Sequence, residues 1–195
     1  MVNVYVLNKF EPNNYPNAVE VDTTSNGNFK DLSPFYLGPV IDPYTGEKCL
    51  RFENYWQYTK LYKEYSINNT PTDAYWDWRR KGFNSIKAIR YPIGKGAKAP
   101  IGAWYNNSLY GYISARKTIY IPIYSKLVLK TQSYAKLYKW CVEDGYAIVL
   151  RDYDGYDYHR YNLTLKQVVN NPKRKMGHAF VLAGLLTGQI NDMLN

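Results

Sequence analysis

The chain has 195 residues, 46% of them hydrophobic and 21% charged. That length suits one domain of moderate size, and the composition excludes wholesale disorder. The excess of 25 Lys and Arg over 16 Asp and Glu gives a formal charge of +9, which favours polyanions such as nucleic acid, nucleotide phosphates or acidic membrane surfaces, while a basic surface kept for solubility explains it equally well.

Tyr occurs 22 times and Trp 5 times, so many rings must keep a polar edge or tip in contact with water or a partner. Cys49 and Cys141 form no metal-like or redox-like pair, which fits a reducing compartment. No apolar run approaches the roughly 18 residues that a membrane helix needs, and "MVNVYVLNKF" is too short for a signal segment. The expectation is a soluble protein of the cytoplasm that does not engage a membrane.

In chain order, the alternation of Val2, Val4 and Val6 predicts a short strand, and "AVEVD" at 18 to 22 a second, with "TTSNGN" breaking the chain after it. "LSPFYLGPV" is irregular, and "PYTGEKCLRF" turns at Thr45 and Gly46 into a short strand or a helix entry. From Glu53 to about Tyr65 no breaker occurs and the spacing predicts a helix. Thr70-Pro71-Thr72-Asp73 offers a cap, a Pro at the first helical position and an early acid, predicting a second helix that stops at Gly82. "YPIGKGAKAPIGAW" is a loop by composition. "SLYGYISARKTIYIP" is ambiguous in its local pattern, and Pro122 ends or begins whatever element it forms.

A helix over about Ser133 to Glu143 closes near Gly145, and "YAIVL" at 146 to 150 is a buried strand leading into the acidic turn "RDYDGYDYH". "TLKQVVNN" makes a short helix stopped by Pro172. "GHAFVLAGLLTGQINDML" predicts one apolar final helix. The sum is an α+β protein, mostly helical with a small sheet, as a single domain over residues 1–195.

Residues three, four and seven apart share a helix face, so Glu53, Gln57 and Lys60 line one stripe with Trp56 beside it. A solvent-facing salt-bridge stripe is the plain explanation, but Phe52, Tyr55, Trp56 and Tyr58 leave little room for an ordinary wet face. Asp152, Asp154 and Asp157 gather just past a strand end. Their spacing is not that of a calcium loop; convergence would raise the pKa of one carboxyl and suit acid–base work, and an exposed Asp-Gly turn explains them as well. Gly94, Lys95, Gly96 and Lys98 form a basic loop without the P-loop pattern, able to hold a phosphate or to be plain surface. His159 and His178 have no companions at metal spacing, so no metal and no cofactor is expected. No serine or cysteine hydrolase signature is present.

"LSPFYLGPVIDPYTGEKCLRFENYWQYTKLY" resembles the opening signature of the NADAR family of NAD- and ADP-ribose-associated proteins, which share the YbiA-like fold. Leu32, Ser33, Phe35 and Tyr36 match its first part; Glu53, Tyr55, Gln57 and Lys60 fall on its second. The acidic turn and "MGHAFVLAGLL" are similar in kind to later family segments. Asn54 stands where the family has His, Pro34 where it has Asn, and Thr187 and Gly188 where an arginine is expected, which fits a divergent, phage-encoded branch acting in the host cytoplasm.

The resemblance implies a single domain of this fold that cleaves the N-glycosidic bond between a ribose carbon and a nitrogen, in a nucleotide, ADP-ribosylated or modified-base substrate. Such cleavage develops positive charge on the sugar, which a carboxylate stabilises. Glu53, Lys60 and Asp154 are the catalytic candidates, Lys60 either as an imine-forming amine or as a phosphate clamp. Tyr36, Trp56 and Gln57 are expected to contact substrate, Arg90, Lys95 and Arg116 its phosphates, and Asp152, Asp157 and His178 to complete the site. The alternatives are a non-catalytic protein that binds DNA or RNA, and a nucleotide-sequestering or transferase protein that uses the pocket differently.

Overall fold

The computed structural model describes residues 3–195, so Val2 of the first expected strand lies outside the described residues. In chain order the elements are β1 (Val4–Asn8), β2 (Val19–Asp22), β3 (Val40–Ile41), β4 (Lys48–Cys49), α1 (Phe52–Tyr58), β5 (Lys60–Leu61), β6 (Ser66–Ile67), β7 (Thr70–Pro71) and α2 (Asp73–Phe83). There follow β8 (Gly102–Tyr105), β9 (Ser108–Tyr110), α3 (Tyr112–Ala115), α4 (Ile121–Val128), α5 (Gln132–Tyr138), β10 (Ile148–Asp152), α6 (Leu165–Val169), α7 (His178–Leu186) and α8 (Ile190–Leu194). Helices outweigh small sheets, so the protein is α+β. No helix among the described residues is long and apolar enough to cross a membrane. The chain divides into two compact units, one made of the residues up to Ser33 together with Tyr124–Asn195, the other of Pro34–Ile123.

In the first unit β10 lies between β1 and β2, and both pairings are parallel, with Val6 opposite Leu150 and Leu150 opposite Val21. A central strand of a covered parallel sheet is buried on both faces, and every residue of β10 is buried. Helix α7 packs on β1 and β10. Its apolar sequence "HAFVLAGLL" has no wet face to offer, and only Leu185 is not fully buried.

The expected single final helix is two. Thr187 caps α7, Gly188 takes φ +71°, and the Gln189 amide closes back on Gly184 O at 2.8 Å before α8 begins. A left-handed residue ends the helix there, as glycine permits.

The second unit contains α1 and α2, several hairpins and the run from α3 to the first residues of α4, whose remainder belongs to the first unit. The helix expected from Glu53 to Tyr65 stops at Tyr58, because Thr59 O accepts from Trp104 N at 2.7 Å and Leu61 O from Ile101 N at 2.9 Å. Lys60 and Leu61 thereby become a strand paired with β8. Non-local pairing has overridden a helical pattern. Pro71 lies in β7, not at the start of α2, whose N-cap is Thr72.

Helix α2 also runs past Gly82 to Phe83. Glycine is there for space: a Cβ on Gly82 would lie 2.2 Å from the Tyr58 ring. Around that contact Trp78 meets Tyr58 at 4.5 Å and stacks on Tyr65 at 5.1 Å, so the tyrosine-rich composition builds this core. Pro122 sits inside a helical stretch. A π-helical turn at Arg116–Tyr120 precedes it and accommodates its ring and missing N–H.

Gly82→Ala is expected to lower unfolding free energy by about 1–3 kcal/mol, the usual cost of forcing atoms into a packed core. Urea unfolding should show a lower midpoint with an unchanged slope; an unshifted midpoint would mean that the Tyr58 ring moves aside freely.

Candidate functional site

Helix α1 carries the site in the second unit. Its first-turn amides are taken by backbone oxygens, Phe52 N donating to Leu37 O at 2.8 Å and Glu53 N to Pro34 O at 2.9 Å, which fixes its start. Glu53 and Gln57 are nearly sealed, at 6% and 7% exposure. Gln57 Nε2 donates to Glu53 Oε1 at 2.8 Å, and Lys60 Nζ donates to Gln57 Oε1 at 2.6 Å. The ionic ends decide the orientation of the amide, since a flipped Gln57 would set its NH2 against the ammonium and its oxygen against the carboxylate. Although Lys60 is on a strand, Thr59 keeps helical φ and ψ of −80° and −13°, so the three-residue spacing still brings the amine to the Gln57 face.

Lys60 also lies 5.2 Å from the centroid of the Trp56 ring. Both residues line a pocket of about 410 Å3, whose other walls are the 99–103 segment, Tyr112 and Ala115. The volume suits a small organic ligand. Its walls are ring faces, methyl groups and strand backbone, with the Lys60 amine as the ionic group. Glu53 connects to this lining through Gln57.

Arg116 is 2% exposed, so it is not a surface phosphate clamp; its Nη2 donates to Tyr112 Oη at 2.6 Å and its guanidinium lies 4.1 Å from the Tyr112 ring centroid. It thus sets the orientation of a wall of the pocket.

Asn54 is fully buried and pins another segment. Its Nδ2 donates to Ser85 O at 3.1 Å and Lys87 O at 2.9 Å, and its Oδ1 accepts from Ile89 N at 2.8 Å. A histidine at this position could not reproduce that two-way amide pairing.

Beneath the site, Asp42 Oδ1 accepts from the amides of Tyr44 and Thr45, both at 3.0 Å, and Oδ2 accepts from Tyr55 Oη at 2.9 Å and Arg79 Nη2 at 2.8 Å. Burial alone would raise the Asp42 pKa; the two amides, the phenol and the guanidinium outweigh it and lower it.

Of the remaining candidates in this unit, Tyr36 is 46% exposed with the Arg51 guanidinium 5.9 Å from its ring centroid, and Arg90 lies 5.6 Å from that of Tyr91. Lys95 is exposed in the loop that precedes the pocket wall.

Asp152, Asp154, Asp157 and His178 belong to the first unit. Asp152 Oδ2 meets His178 Nδ1 at 3.0 Å and accepts from Ala179 N at 3.1 Å, and Oδ1 accepts from Asp154 N at 3.2 Å. His178 Nε2 lies 2.9 Å from Thr23 O. With an acceptor at each ring nitrogen, the imidazole satisfies both only as the cation. Burial would raise the Asp152 pKa, but the His178 charge and these hydrogen bonds bring it from 3.8 down to about 2. Asp157 accepts from Tyr15 Oη at 2.8 Å and Arg160 N at 3.1 Å. Asp152 and Asp157 thus hold the turn and the start of α7. Burial pushes the Cys49 thiol up to about 12 and that of Cys141 to about 11, so neither supplies a thiolate nucleophile at neutral pH.

The sequence reading missed Asp42, Arg79, Asn54 and the 99–103 wall. A signal existed for Asp42: an Asp followed two and three residues later by turn amides is an Asx turn. Nothing local marks Asn54 or the wall, because their partners are distant in sequence.

No protein-family model, no curated protein and no solved structure matches the chain.

Because the folded pKa of Asp152 is depressed, its contribution is complete above about pH 4 and is lost as pH falls toward about 2. Asp152→Asn should remove that part of the acid slope in stability measured by thermal unfolding. At neutral pH it should cost about 1–3 kcal/mol, since it deprives His178 Nδ1 and Ala179 N of their buried charged acceptor. An unaltered acid slope would contradict the pairing.

Proposed function

We propose that the chain is a divergent relative of the NADAR family and an N-glycosidase that opens a ribose–nitrogen bond in a nucleotide, ADP-ribosylated or modified-base substrate. One observation carries this reading: the Lys60 amine at the wall of a ring-lined pocket, joined through Gln57 to the nearly sealed Glu53 carboxylate. A salt-bridge stripe facing water would not be sealed to 6% exposure. A wet stripe of that kind would also contribute little stability.

In this reading a base stacks on Trp56, and the ribosyl C1 comes against Lys60. As the C1–N bond breaks, the departing nitrogen takes the proton given up by the Lys60 ammonium, which leaves that amine neutral. The developing positive charge on the sugar is stabilised by the negative charge of Glu53, transmitted through the oriented Gln57 amide. Lys60, once neutral, bonds to C1 and the sugar ring opens to a protonated imine; water then releases the ribose and restores the amine. Tyr112, held by Arg116, completes a wall of the pocket.

A non-catalytic nucleic-acid binder remains the alternative, and the formal charge of +9 favours it. That reading leaves the amine–amide–carboxylate chain without a task.

Glu53→Gln should reduce release of base or ribose by about 10²- to 10³-fold, the scale of losing a preorganised charge at the reacting centre, with ligand binding and folding retained. Lys60→Arg, which keeps the charge but cannot form the imine, should be as inactive as Lys60→Ala. Borohydride added during turnover should leave a ribosyl adduct on Lys60, read by peptide mass spectrometry. Full activity in Glu53→Gln would refute the assignment; an active Lys60→Arg would reduce the lysine to a phosphate clamp.

A further inference from the structure

Residues 80–98 contain Arg80, Lys81, Lys87, Arg90, Lys95 and Lys98 and not one Asp or Glu. Such a gap is no argument alone; its placement in the fold is. Lys81, Lys87, Lys95 and Lys98 are exposed, and none of these four is ion-paired among the described residues. Arg80 alone of the exposed cations here turns back on a carboxylate, Asp77 at 2.9 Å.

The segment is tied near its start to the helix that carries Trp56 and at its end to a wall of the pocket. Near its start, Asn54 holds Ser85, Lys87 and Ile89 against α1, and Arg51 Nε donates to Ile86 O at 3.1 Å. At its end it passes directly into the 99–103 pocket wall, where Ile101 N is held by Leu61 O. Exposed apolar groups stand among the cations, Ile86 at 77% and Tyr91 at 41% exposure, with the Arg90 guanidinium 5.6 Å from the Tyr91 ring centroid.

We propose that this basic strap carries the sugar–phosphate backbone of a single-stranded nucleic acid whose unpaired base enters the pocket of Trp56 and Lys60, so that the substrate is a polymer and not a free nucleotide. The assignment of the pocket rests on the function proposed above; the backbone track rests on charge and anchoring. Cations spaced by ring and alkyl groups match a strand that alternates phosphates with stackable bases. A base inside a duplex cannot reach a walled pocket without leaving its stack, which favours the single-stranded form. An acidic membrane would meet the same lysines, but would call for a contiguous apolar wedge instead of isolated side chains.

The test is fluorescence anisotropy with a labelled, mixed-sequence single-stranded oligonucleotide of about 20 nucleotides, across KCl from about 50 to 200 mM. The wild type should bind with a steep salt dependence. Replacing Lys81, Lys87, Lys95 and Lys98 together by Gln should weaken binding at least tenfold at the lower salt. It should also flatten the log–log slope by about 2 to 3, at about 0.7 per lost phosphate contact. Replacing Lys166, Lys173 and Lys175, exposed lysines of the other unit, by Gln should leave the slope unchanged.

The proposal is overturned if the fourfold strap variant keeps the wild-type slope, if the second set abolishes binding instead, or if the wild type ignores the oligonucleotide while binding phosphatidylserine vesicles. Binding is read without turnover, so the two readings fail separately. A protein that binds the strand but releases neither base nor ribose sinks the enzymatic reading alone. One that turns over a free nucleotide and ignores the strand sinks this one alone.

Discussion

The buried carboxylate of Asp42 is the point on which the second unit depends. It sits in the β3–β4 hairpin, receives the Tyr55 phenol from α1 and the Arg79 guanidinium from α2, and takes its own turn amides from Tyr44 and Thr45. With Asp42 at 3% and Arg79 at 4% exposure, desolvation opposes the pair. The pair is tolerable because both Asp42 oxygens are hydrogen-bonded and Arg79 Nη1 also meets Glu47 at 3.1 Å, which leaves only Arg79 Nε of that guanidinium buried without a partner among the described residues. Such a network favours one arrangement of hairpin and helices, and a slipped helix would strand a charge. Tyr55 therefore fixes the rotation of α1. Because Glu53 and Gln57 lie on the same short helix, their aim follows from that rotation, and the order of the site is inherited from a neighbouring ion pair that takes no part in its chemistry.

The first unit solves a similar problem in its parallel sheet. Its central strand ends in Arg151 and Asp152, both buried, where apolar residues would be the ordinary choice. Arg151 donates through Nη1 and Nη2 to the oxygens of Asn8, Glu11 and Glu20, with Nε left buried without a partner among the described residues, and Asp152 is met by His178 and two backbone amides. The acid reaches the first turn of α7, where a negative charge also suits the helix dipole. The strand thus holds β1, β2 and α7 through polar groups at its end as well as apolar groups along it. The acidic turn that draws attention in the sequence is a joint in this construction.

The particular elements show what could be read in advance. β2, α2 and the apolar character of α7 follow from local pattern, since alternation, a capping Thr and a continuous apolar run are each visible within a dozen residues. The stop of α1 at Tyr58 could not be read, because its cause is β8, some forty residues further along the chain. Likewise a glycine within α2 looks like a terminus until the Tyr58 ring is seen against it. The stripe of Glu53, Gln57 and Lys60 was legible for a partly accidental reason: spacing on a helix and spacing across its C-cap coincide when the cap residue stays helical. The pocket walls were not legible, for they come from a Pro- and Gly-rich segment whose position depends on Asn54 and on strand pairing.

The amide between the two charges of the candidate site has a physical consequence of its own. Gln57 separates the charges while keeping both oriented, its carbonyl toward the amine and its NH2 toward the carboxylate. The amine is thereby held at one point on the pocket wall. Glu53, Gln57 and Lys60 are thus ordered as one polar chain that runs from the buried face of α1 to the pocket wall, as Asp42 and Asp152 order the polar groups around them.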